Sequence, residues 1–312
     1  MNTPAGQRSW LERIILTPGD NRLRSGFRLL GQLLILGFLV DCFGFSLVLW
    51  ILLFGQGSER TIFLLGQSAA LPAVTLSVYV ARRWLDKRSF ASLGLRLNRQ
   101  AGWDLLAGFG IAGVMMTSIY LLEWAAGWLV FEGSGWEFEH PAWVAGGAMG
   151  MLLVFLSVGW YEEVLNRGYW LQNLEEGLNL FWAVLISSCV FALAHLMNPN
   201  LSAAAMIGLV LSGVFLAYGY TSTRQLWLPI GLHTGWNFFE GTVFGFPVSG
   251  MGELPRLIHQ TVNGPELLTG GAFGPEAGLV LLPALALGVF LIHLFTRRRP
   301  LPDGHTGGEN QL

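Results

Sequence analysis

Charge is scarce in this chain. Only 12% of its 312 residues are Asp, Glu, Lys or Arg, about half the roughly 25% usual for soluble domains, and this excludes a soluble globular protein. The formal net charge of −2 leaves no global basic field, so no nucleic-acid partner is expected. Cysteine is nearly absent too: Cys42 and Cys189 both sit inside apolar runs and read as small buried hydrophobes, not as a disulfide or metal pair. There is no H-E-x-x-H zinc motif and no internal repeat of the kind many transporters show. The ending Glu309-Asn310-Gln311-Leu312 lacks the cysteine of a prenylation box. Met1–Arg28 carries five arginines without a small-residue cleavage site, so no removable signal peptide is expected.

What the chain has is apolar length. Hydrophobic residues make up 53% of it and glycines number 41, a composition suited to closely packed membrane helices. Runs of membrane length fall at 28–54, 61–81, 102–130, 142–165, 179–197, 201–221, 227–246 and 277–296. The expected fold is an all-α polytopic membrane protein of about eight transmembrane helices enclosing a polar intramembrane site. An interfacial segment 1–27 would precede one transmembrane domain 28–296, and a flexible basic and polar tail 297–312 would follow. Fourteen of the 18 Lys and Arg residues cluster before the first run, after the second and after the eighth. Cytoplasmic loops collect such residues, and an even number of spans places all three clusters together, with both termini cytoplasmic.

Three smaller features have plain readings. Gly108-Phe109-Gly110-Ile111-Ala112-Gly113 has dinucleotide-motif spacing but lies inside an apolar run, the wrong context for a cofactor loop. Gly146 and Gly150 form G-x-x-x-G and read as a helix-packing face. The Gly- and Pro-rich stretch 247–276 is a long loop, either a lid or a connector.

Ionisable groups within spans are costly and by default functional, and here they cluster. The fourth run ends in Glu162-Glu163 with Arg167, the fifth in Phe191 with His195, and the seventh holds His233 and Asn237. Glu163 and Arg167 stand at i, i+4 and can meet, whereas Glu162, rotated by about 100°, is the freer base. His233 and Asn237 share a face that Glu240 continues. With a turn near Gly177 and Leu178, Glu162 and His195 would lie at one depth. Straight helices would put His195 and His233 near opposite ends of the sixth span, so they meet only if some helix is tilted, broken or partly re-entrant, with Pro199 and Pro229 as candidate breaks. The bland reading of the whole set is an ion-pair and hydrogen-bond network that fixes helix positions. Asp104, Glu123 and His293 read as interfacial or locally bonded.

The pattern E-E-x-x-x-R, F-x-x-x-H and H-x-x-x-N, complete as Glu162-Glu163 with Arg167, Phe191 with His195, and His233 with Asn237, resembles the CAAX prenyl endopeptidase and bacteriocin-processing (CPBP) family of intramembrane proteases. The resemblance covers about residues 140–245, and Thr269-Gly270-Gly271-Ala272-Phe273-Gly274-Pro275-Glu276 is similar to a stretch in bacterial members. It implies an eight-helix fold in a bacterial plasma membrane and cleavage of prenylated or other membrane-associated peptides near their C-termini. The expected chemistry is water activated by Glu162 with His195, and an oxyanion held by His233 and Asn237. No cofactor is required for it. The alternative is zinc held by Glu162, His195 and His233. The expected partners are a lipidated or membrane-associated substrate and membrane lipids. A non-proteolytic scaffold or bacteriocin-immunity-type binding protein, and a proton-coupled transporter, remain open.

Overall fold

The computed structural model describes residues 9–17, 22–55, 59–252 and 254–297; the readings placed on residues 1–8 and on the tail beyond 297 lie outside these. In chain order the elements are α1 (Trp10–Ile15), α2 (Ser25–Phe54), α3 (Glu59–Val80), α4 (Arg99–Ala125), β1 (Leu129–Ser134), α5 (Gly135–Phe138), α6 (Pro141–Glu163), α7 (Leu171–Gly177), α8 (Leu180–Leu193), α9 (Ala203–Thr223), α10 (Trp227–Asn237), β2 (Ile258–Val262), α11 (Glu266–Thr269) and α12 (Leu281–Thr296). Each of the eight apolar runs holds a helix, although the third also takes in the start of β1. Five helical stretches are long and apolar enough to cross a membrane: Ser25–Phe54, Leu64–Leu85, Arg99–Ala125, Pro141–Gly177 and Ala203–Thr223. The chain is an integral membrane protein built mostly of helices. α8 and α12, at 14 and 16 residues, span only about 21 and 24 Å as regular helices, short of the roughly 30 Å hydrocarbon core.

Side-chain caps set two of the helix starts. Asn98 Oδ1 accepts from the Ala101 N–H at 2.9 Å to open α4, and Ser202 Oγ accepts from the Ala205 N–H at 3.1 Å to open α9. Three helical stretches widen into π turns at Ala81–Leu85, Val164–Trp170 and Phe238–Val243. The last two follow directly on the Glu162-Glu163 pair and on Asn237, and π turns inside helices are frequent at functional sites.

The described residues form two units. The first comprises residues 1–93 and 161–187 and wears its polarity inside. On α2, Arg28, Leu29 and Gln32 are buried while Leu34, Phe38, Leu52 and Phe54 are exposed, the pattern expected of a helix facing lipid. Asp86, with no exposed surface, receives Arg28 Nη1 at 3.2 Å and Arg82 Nη1 at 2.7 Å. Glu176 meets Arg22, Arg28 and Arg88 at 2.8 to 3.3 Å. Basic residues read from the sequence as topology signals thus also tie α2, α7 and the Ala81–Leu85 turn together.

The second unit comprises residues 94–160 and 188–312. Its α4 and α10 approach with backbone against backbone. A Cβ on Gly108 would lie 2.3 Å from the Leu228 carbonyl oxygen, and one on Gly231 would lie 2.1 Å from that of Leu105. Gly108, the first glycine of the G-x-G-x-x-G stretch, thus seats α10, the helix carrying His233 and Asn237, whereas a Cβ on Gly110 would meet nothing within 4 Å. Around this contact lies a core of Met115, Met116, Ile119, Phe215, Leu228 and Leu232. The reading of Gly146 and Gly150 as a packing face needs correction: a Cβ at either would meet nothing within 4 Å, while Gly147 lies against Pro255. α6 turns the intervening glycine, one residue along, to its neighbour.

Residues 247–276 are more ordered than a plain loop. Strand β2 pairs antiparallel with β1, from Leu129 opposite Val262 to Ser134 opposite Ile258, with an irregularity between Phe131 and Gly133. Beside this pair, hydrogen bonds from the Ser134 hydroxyl and N–H hold the Glu137 carboxyl below the usual carboxylate range.

Candidate active site

The first motif lies in the first unit. Arg167 Nη1 meets Glu163 Oε1 at 2.8 Å, with both side chains essentially unexposed, as the i, i+4 spacing requires. Arg167 is also within electrostatic reach of Glu162. Asn166 Nδ2 donates to the Glu162 carbonyl at 3.0 Å. The expected turn is present, with α7 ending at Gly177 and α8 opening at Leu180.

The second and third motifs lie in the second unit, and there the structure brings the two histidines together. The Phe191 ring stands 4.9 Å from the His195 ring and 5.9 Å from the His233 ring, the latter edge to face. The break that permits this is at one proline and not the other. α8 stops at Leu193, and residues 194–202 turn through Pro199 to α9, whereas Pro229 sits in the first turn of α10, where a missing N–H costs nothing. His195 Nδ1 lies 2.8 Å from the Phe191 carbonyl oxygen. A carbonyl can only accept, so Nδ1 is the donor in this contact.

His233 and Asn237 line one small cavity of about 30 Å³, room for a water. Phe191, Phe215, Trp236 and Glu276 also stand in its wall. α6 supports α10 beneath it, where a Cβ on Gly159 would lie 2.6 Å from Thr234 Oγ1. Of the aromatics along 201–246, Phe215 and Trp236 reach this cavity, while Phe238 and Phe239 instead stack on Phe109 at 5.7 and 5.1 Å.

Two residues gain weight in the structure. Glu276, buried, lines the same cavity and accepts a hydrogen bond from Ser249 Oγ at 2.6 Å. Glu240 lies beside it with no exposed surface. The signal for Glu276 was present in the sequence as the end of the Thr269–Glu276 stretch, but that stretch lies beyond the three motifs. Glu123 departs from the reading of a locally bonded interfacial group: it is fully buried and neither carboxyl oxygen has a hydrogen-bond partner among the described residues. Among those residues no three His, Cys, Asp or Glu side chains are grouped as a bound metal ion needs.

With this geometry in place, the comparison with protein families is decisive for one stretch. Residues 144–239 match the family described as type II CAAX prenyl endopeptidase, Rce1-like. The resemblance carried by the three motifs is borne out over this span. The Rce1-like segment is about a third of the chain and holds Glu162, Glu163, Arg167, Phe191, His195, His233 and Asn237, but neither Glu240 nor Glu276. Comparisons with curated proteins and with solved structures give no match.

Proposed function

We propose that the chain is an intramembrane endopeptidase that cleaves prenylated, CAAX-type or other membrane-associated peptides. The observation that carries this reading is the Rce1-like segment itself, which contains every polar residue of the three motifs. In the proposed reaction Glu162, assisted by His195, takes a proton from water as the oxygen attacks the peptide carbonyl. The amide of Asn237 and the imidazole of His233 donate to the oxyanion that forms, and the captured proton passes to the leaving amine as the C–N bond breaks. Arg167 holds Glu163 in an ion pair, and Glu162 is left as the general base. These steps use no metal.

A membrane anchor on the substrate would deliver the scissile bond. Each buried methylene contributes about 0.8 kcal/mol, so a prenyl chain of many carbons supplies much of the binding. Matched peptides with and without the lipid, assayed in one detergent, should differ at least about tenfold in kcat/KM in favour of the lipidated one. Equal values would replace lipid delivery by general membrane-peptide proteolysis.

The reading also includes eight crossings with both termini in the cytoplasm. Parity supports it: β1 and β2 are hydrogen-bonded and so lie on one side, which requires an even number of crossings between residues 134 and 258. The four apolar runs there, 142–165, 179–197, 201–221 and 227–246, satisfy this. Reporter fusions after Arg88 and after Glu137 are expected to report opposite sides of the membrane; the same side for both would end this topology.

A further inference from the structure

The stretch Thr269–Glu276 is built around glycines that nothing else can replace. Gly270, Gly271 and Gly274 have φ of +88°, +58° and +106°, in the region side chains other than glycine rarely adopt. A Cβ on Gly270 would fall 1.8 Å from the Gly274 carbonyl oxygen, and one on Gly274 would fall 2.2 Å from that of Pro247. The Glu276 carbonyl rests against α9 so closely that a Cβ on Gly208 would lie 1.8 Å from it. The Gly250 N–H adds a hydrogen bond to the Phe273 carbonyl at 2.8 Å. So many close approaches over eight residues fix the backbone that ends in Glu276.

What this loop delivers is one carboxylate into the cavity that His233 and Asn237 line. Ser249 Oγ holds one oxygen at 2.6 Å. His195 and His233 are both within electrostatic reach, and the Trp236 indole faces the group as well. Glu240 is the neighbouring acid, and the Trp236 indole is within reach of it too. No Lys or Arg pairs with Glu240 or Glu276 among the described residues. A carboxylate set behind a histidine fixes its tautomer and orientation and raises its basicity.

We propose that Glu276 is a positioning residue of the peptidase: held by Ser249 and the glycine loop, its carboxylate orients the His195 and His233 imidazoles. The role rests on the proposed peptidase function, and it extends the working site beyond the Rce1-like segment. Without the carboxylate the imidazoles lose a fixed orientation, while Ser249 can still bond an uncharged amide. Glu276→Gln in the full-length protein should lower kcat on a lipidated peptide by about 10- to 100-fold, with KM within about twofold and melting temperature close to wild type. Glu276→Asp, which keeps the charge, should recover part of the loss.

A second readout is independent of turnover. In protein labelled with ¹⁵N-histidine, Glu276→Gln should shift the ring signals of His195 and His233 and leave those of His140 and His293 in place. Unmoved His195 and His233 signals would overturn the proposal. So would an unchanged kcat, or a kcat loss that only follows a fall in melting temperature and is not rescued by Asp. If Gln prevents folding, the Asp variant carries the test through the same signals and kcat, and wild-type values for both overturn the role. Wild-type protein that leaves the peptide intact would overturn the peptidase reading and this role with it. An active wild type beside an unimpaired Glu276→Gln variant overturns the role alone.

Discussion

Glu162→Gln is expected to lower kcat by about 10²- to 10⁴-fold, the usual contribution of a general base, with little change in melting temperature. Glu163→Gln is expected to do something different. Arg167 meets Glu163 at 2.8 Å where both are buried, and removing one charge of a buried pair costs about 3–5 kcal/mol. The lower end applies, because Glu162 remains within reach of the guanidinium. Glu163→Gln should thus lower the melting temperature by several degrees, and its activity loss should follow the loss of folded protein. Activity per folded molecule, measured beside a thermal melt in the same detergent, separates the two carboxylates. Equal activity losses with equal melting temperatures would remove the division of labour between them.

The second large effect concerns the oxyanion donors. His233 and Asn237 stand one helical turn apart on α10 and line one cavity, so both can address a single developing charge. Loss of one such donor typically costs about 10²- to 10³-fold in kcat. Asn237→Ala and His233→Ala should each show a loss of this size with KM nearly unchanged. Their double variant should lose less than the product of the two, since residues acting as a unit are not additive. A rise in KM at constant kcat would instead assign them to substrate binding.

The motifs were legible because an intramembrane charge has few reasons to exist. Glu162, Glu163, Arg167, His195, His233 and Asn237 stood out against apolar surroundings, and helical spacing alone anticipated the Glu163–Arg167 contact and the shared face of His233 and Asn237. Local spacing could not supply the rest. The meeting of His195 and His233 across Phe191 depends on where α8 stops, and the sequence offered two prolines of which only Pro199 lies at the break. The π turns after Glu163 and Asn237 leave no periodic trace over six or seven residues. Gly146 and Gly150 had the spacing of a packing face, yet Gly147 makes the contact, because spacing does not say which way a helix is rotated. Glu276 lies 39 positions beyond Asn237, and only the folded glycine loop brings it to the same cavity.

The central claim is hydrolysis of a membrane-anchored peptide by water activated at Glu162. Its most direct test is mass spectrometry of a prenylated C-terminal peptide incubated with the purified full-length protein in ¹⁸O-labelled water. The account predicts one cut near the prenylated residue, one ¹⁸O atom in the new carboxylate, and neither product with Glu162→Gln. An intact peptide after incubation with wild type, or the same labelled products from Glu162→Gln, would contradict it.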